Sequence, residues 1–70
     1  MDIRALMDRN VAWQNTETPF LFSAAIDGSE VRLRLNDFPE EPLCTVIWEG
    51  GQQDLNSFGK NWTLPKHRGE

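Results

Sequence analysis

One cysteine, one histidine and no tyrosine leave this 70-residue chain short of the groups from which most catalytic and metal sites are assembled. A lone Cys44 excludes an internal disulfide and a multi-cysteine zinc site, and it fits a reducing compartment. His67 follows the last apolar residue and stands between Lys66 and Arg68, so it reads as a solvated side chain rather than a base. No Cys/His dyad can then be built inside a fixed core, the serines at 23, 29 and 57 lack a base, and no glycine-rich phosphate loop is present. Asp37, Glu40 and Glu41 are close in sequence, but their spacing among prolines matches no calcium loop. The expectation is a protein without catalytic residues, metal or cofactor.

Basic side chains are also scarce. Seven Lys and Arg against eleven Asp and Glu give a net charge of -4, and without Lys66, Arg68 and Glu70 the balance moves to -5. Proteins that hold nucleic acid by phosphate neutralisation are usually basic, so nucleic acid is not the expected partner. Long apolar runs are missing as well: the longest, Phe20 to Ile26, is far short of the roughly 20 residues that cross a bilayer as a helix. Met1-Asp2-Ile3-Arg4 does not follow the basic-then-apolar plan of a secretory signal. The expected location is cytoplasmic, with no membrane partner.

What the sequence does contain is a well-specified β-hairpin. Asp27-Gly28 suits a two-residue type I′ turn, whose central residues both need positive φ. That loop sets Ile26 opposite Ser29, then Ala24 opposite Val31, Phe22 opposite Leu33 and Phe20 opposite Leu35, all on one apolar face. The other face pairs Ala25 with Glu30, Ser23 with Arg32 and Leu21 with Arg34. Leu43-Cys44-Thr45-Val46-Ile47-Trp48, bounded by Pro42 and Gly50-Gly51, reads as a third strand, apolar on both faces and so suited to an interior position. With Gly50-Gly51 as a two-residue turn, Trp48 faces Gln53 and Val46 faces Leu55 in a short fourth strand; the alternative for this segment is a turn or 3₁₀ step.

Residues 3–9 suit a helix of about two turns, capped by Asp2, with Ile3, Leu6 and Met7 on its apolar stripe. Residues 11–19 lack any period and read as a connector, with Trp13 as a lid on the core or an exposed anchor. Phe38 is the one apolar residue in the acidic, proline-bounded loop 36–42. Phe58, Trp62 and Leu64 read as anchors of a final segment or edge strand. The fold expected is a single α+β domain over residues 1–65, a short N-terminal helix on a three- to four-stranded antiparallel meander, followed by a flexible tail at 66–70. A small open barrel of SH3-like form is its rival.

Three tryptophans and four phenylalanines exceed what so small a core holds, so some are expected at the surface as binding anchors. The candidate binding surface comprises Arg32, Arg34, Trp13 and Trp48. Arg32 and Arg34 share one strand face and can grip a carboxylate or phosphate, or can simply pair with Glu30 or Asp37. The function expected is a non-enzymatic protein-protein interaction module, of the inhibitor or immunity type that small acidic bacterial proteins supply. The alternative is a small nucleic-acid-binding domain that uses the arginine-bearing sheet face. A homodimer formed by edge-strand pairing is open to either.

Overall fold

The structure is a computed structural model and describes residues 1–65. Helix α1 (Ile3–Asp8) begins where the Asp2 carboxylate accepts the Arg4 and Ala5 amides at 3.0 and 3.4 Å, satisfying two donors that a helix start leaves free. Six residues cannot hold a helix in water by themselves. Leu6, 2% exposed, ties it to the core, and two distant side chains hold its far end: Trp62 Nε1 donates to the Leu6 carbonyl at 3.0 Å and Asn61 Nδ2 to the Asp8 carbonyl at 3.2 Å.

Seven strands follow: β1 (Val11–Ala12), β2 (Gln14–Asn15), β3 (Leu21–Ile26), β4 (Ser29–Leu35), β5 (Cys44–Trp48), β6 (Gly51–Leu55) and β7 (Trp62–Thr63). The order β2-β3-β4-β5-β6 is an antiparallel meander of five neighbours in chain sequence, one strand wider than the sequence suggested. The sheet is open, with β2 and β6 at its edges. β1 and β7 make a separate parallel pair. The described residues are mainly β with one short helix. No helix among the described residues is long and apolar enough to cross a membrane, and the tail assigned to 66–70 lies outside the described residues.

The β3-β4 hairpin has the register that the turn chemistry demands. Asp27 and Gly28 both take positive φ, 53° and 84°, and the pairs run from Ile26 with Ser29 out to Leu21 with Arg34. Phe20 departs from the expectation. Its carbonyl still accepts the Leu35 amide at 2.9 Å, but φ of 63° turns the backbone out of the strand and leaves the side chain 56% exposed. The fourth-strand expectation also needs correction. β6 exists, but the turn is Glu49-Gly50, with Gly50 at φ 102°, so Trp48 pairs with Gly51 and Val46 with Gln53. The reason is steric. A Cβ on Gly51 would lie 3.1 Å from the Trp48 ring, so the indole lies across a residue with no side chain to displace it.

The connector expectation for residues 11–19 is likewise corrected, since β1 and β2 lie within it on either side of Trp13. Two-residue strands carry no periodic signal. They form because Trp13 is drawn inward: its amide donates to the Thr63 carbonyl at 2.9 Å and its ring meets Trp62 edge-on at 5.3 Å. The core is Leu6, Val11, Trp13, Ile26, Val31, Leu33, Cys44 and Val46, with Phe22, Trp48, Phe58 and Trp62 packed around it. All of it lies on one face of the meander, the side on which α1 and the β1/β7 pair sit.

Candidate functional site

Alternation places Leu21, Ser23, Arg32, Arg34, Thr45, Ile47, Gln52 and Asp54 on the opposite face, all exposed or half-buried except Thr45. Arg32 and Arg34 therefore do stand together on an accessible sheet surface, two residues apart. Their partners differ. Arg32 Nε lies 3.6 Å from Glu30 Oε2 on its own strand, whereas Arg34 turns toward Asn36 Oδ1 at 3.0 Å and Thr45 Oγ1 at 3.4 Å.

Thr45 is the centre of this network. Register brings Arg34, Thr45 and Asp54 into one row across β4, β5 and β6. The Thr45 hydroxyl donates to Asp54 Oδ1 at 2.7 Å and accepts from Asn36 Nδ2 at 2.9 Å. It is fully buried, 0% exposed. A buried hydroxyl without partners costs free energy, and here both its donor and its acceptor roles are filled.

The same Asn36 starts the acidic loop 36–42, which is built from its own hydrogen bonds. Asn36 N–H donates to the Leu43 carbonyl (3.1 Å), Phe38 N–H to the Asn36 carbonyl (3.1 Å) and Glu41 N–H to the Asp37 carbonyl (2.7 Å). Glu41 Oε1 accepts the Asp37 amide in return at 3.1 Å. The Phe38-Pro39 peptide is cis. Phe38, 57% exposed, stands on this loop among Asp37, Glu40 and Glu41.

The tryptophans do not join this surface. Trp13 is 3% exposed and its indole is enclosed by the core, so the expectation that it anchors a partner is corrected: the T-shaped contact with Trp62 uses the ring internally. Trp48 lies on the core side of the sheet, half-buried, where it borders an open groove of about 360 Å³ with Leu6, Ile26 and Val31. One margin of that groove is bridged by Arg9, whose guanidinium meets both Asp27 oxygens at 2.9 and 3.1 Å. That fork lowers the Asp27 carboxyl from its usual range, first through the hydrogen bonds and then through charge.

Cys44, the single cysteine, is 0% exposed, and burial, with the Asp54 charge, pushes its thiol up to about 11. No group of three or more His, Cys, Asp or Glu that could hold a metal occurs among the described residues. Sequence reasoning had noted Phe38 only as an apolar exception in its loop, and had missed the Asn36-Thr45-Asp54 network, which depends on a register it placed two residues away. No protein-family model, characterised protein or solved structure matches this chain.

Proposed function

We propose that the protein is a non-enzymatic protein-binding module that covers a basic surface of another protein, with Phe38 as the apolar anchor and Asp37, Glu40 and Glu41 as the charged surround. The observation that carries this reading is the exposure of Phe38 on a loop whose backbone makes its own hydrogen bonds. A large exposed aromatic is the kind of residue that dominates interface energetics. The carboxylates around it speed encounter with a positive partner and set its orientation. This is the chemistry of an inhibitor or immunity-type protein.

The arginine face supports the nucleic-acid alternative less well. Among the described residues Arg9, Arg32 and Lys60 each have a carboxylate within 4.0 Å, and the aromatic Phe22 does not share that face with Arg32 and Arg34. The test is recovery of binding partners from nuclease-treated native lysate at moderate salt, comparing the wild-type protein with Phe38→Ser and with the triple change Asp37→Asn, Glu40→Gln, Glu41→Gln. A protein retained by the wild type and lost by both variants, with unchanged circular dichroism, supports the reading. Equal retention by all three overturns it, and retention that disappears with nuclease favours the alternative.

A further inference from the structure

The backbone hydrogen-bond pattern of the sheet decides which groups of β6 face outward. Asn36 N–H donates to the Leu43 carbonyl just beyond the β4-β5 ladder, which makes Arg34 with Thr45 and Arg32 with Ile47 the hydrogen-bonded pairs of that ladder. The backbone groups of Cys44, Val46 and Trp48 then point at β6, where they meet Leu55, Gln53 and Gly51. By alternation the N–H and C=O of Gln52 and Asp54 point away from the sheet. The Asp54 carbonyl is met there by Gln53 Nε2 of its own strand at 3.3 Å.

The usual protections of an edge are missing from β6. Gly51-Gln52-Gln53-Asp54-Leu55 has no proline, no lysine and no bulge against β5, whereas the opposite edge, β2, is two residues long. Its only charge, Asp54, is drawn onto Thr45 at 2.7 Å rather than projecting along the edge.

We infer that β6 pairs with β6 of a second copy of this chain, antiparallel about a two-fold axis at Gln53, to give a continuous ten-stranded sheet. In that register Gln52 of each copy exchanges both backbone hydrogen bonds with Asp54 of the other, four bonds in all, and the Gln52 amide lies opposite the Asp54 carboxylate. Shifting the axis to residue 54 sets two aspartates face to face, and shifting it to residue 52 leaves both Asp54 edges unpaired. On the core side, Leu55 of one copy comes opposite Gly51 of the other, beside the Trp48 indole that lies over that glycine. Two half-buried apolar side chains thereby cover each other. The partner is therefore the chain itself, since one edge supplies both halves of the complementarity. The pairing uses no side chain of loop 36–42, so it stands or falls separately from the proposed function.

The interface is small, so the dimer is expected to dissociate in the micromolar range. Sedimentation velocity from about 5 to about 500 μM tests it, using the whole chain and three variants. Gln52→Lys meets Asp54 across the axis and is expected to tighten the dimer about threefold or more, whereas Gln52→Glu sets like charges together and is expected to weaken it by a similar factor. Gln52→Pro removes an outward N–H and no bond of the β5-β6 ladder, and is expected to abolish association. Because the Lys and Glu variants keep every backbone group, their opposite shifts remain readable if the proline variant fails to fold. A monomer throughout the range overturns the inference, as does a dimer indifferent to the sign of charge at residue 52.

Discussion

Replacing Thr45 by valine removes one hydroxyl, keeps the side-chain volume and leaves three neighbours without their partner. The hydroxyl donates to the Asp54 carboxylate at 2.7 Å and accepts from Asn36 at 2.9 Å, with Arg34 more distant at 3.4 Å. A hydrogen bond to a charged group contributes about 1.5–3 kcal/mol and one between neutral groups about 0.5–1.5. Asp54 is exposed and regains water when the hydroxyl is lost, which places its share at the lower end. The added methyl sits in a fully buried position and offsets about 0.8 kcal/mol. The net cost is about 1–2 kcal/mol, or roughly 5–15 °C in melting temperature for a domain this small. Urea unfolding followed by tryptophan fluorescence reads it, and a double-mutant cycle with Asp54→Asn isolates the pair, with a coupling of at least about 0.5 kcal/mol expected. A Thr45→Val protein as stable as the wild type, with no coupling to residue 54, refutes the view that this hydroxyl organises the open face.

Leu33→Ala is expected to cost about 2–5 kcal/mol, a large part of the roughly 4–10 kcal/mol available to a chain of this length, because Leu33 is 0% exposed on the central strand. Arg34→Ala, one residue on and facing outward, is expected to cost under about 1 kcal/mol, and chemical denaturation of the two variants shows whether the faces are assigned correctly. Gly59→Ala is expected to cost about 1–3 kcal/mol by overpacking: Gly59 has an ordinary backbone, but a Cβ there runs into the Trp62 indole that closes over α1, and the melting temperature measures the loss. For Cys44 the sign is set by its raised thiol pKa. The folded state keeps the proton longer than the unfolded chain, so the thiol's contribution to stability is constant below about pH 9 and falls as pH rises from 9.0 toward about 11. Denaturation midpoints across that interval, compared with Cys44→Ala, check it, and the native thiol is expected to react with a disulfide reagent only after unfolding.

Much of the fold was legible because local chemistry and long-range pairing agree. Asp27-Gly28 specified a turn, the turn specified a register, and the alternation from Leu21 to Leu35 agreed with both. Asp2 and Leu6 located the helix for the same reason, a cap followed by an apolar stripe. Legibility failed where a distant residue decides. β1 and β2 are too short to show a period and exist because Trp13 finds Trp62, about fifty residues away. The β5-β6 turn was misplaced by one residue because two adjacent glycines offered equally good turn chemistry, and the Trp48 indole lying over Gly51 made the choice.

The candidate surface divides along the same line. Period-two alternation was sufficient to place Arg32 and Arg34 on one face, yet neither tryptophan could be placed without tertiary contacts. The Thr45 network was hidden because Asn36, Thr45 and Asp54 are brought together only by two strand registers at once.

The proposed function is tested most directly by placing a photo-crosslinking phenylalanine analogue at position 38 and irradiating the living source cells, with the same analogue at Arg4, an exposed helix position, as the control. The account predicts a discrete adduct to one other protein from position 38, absent from position 4 and diminished when Asp37, Glu40 and Glu41 are neutralised. No adduct from position 38, or the same adducts from both positions, contradicts it.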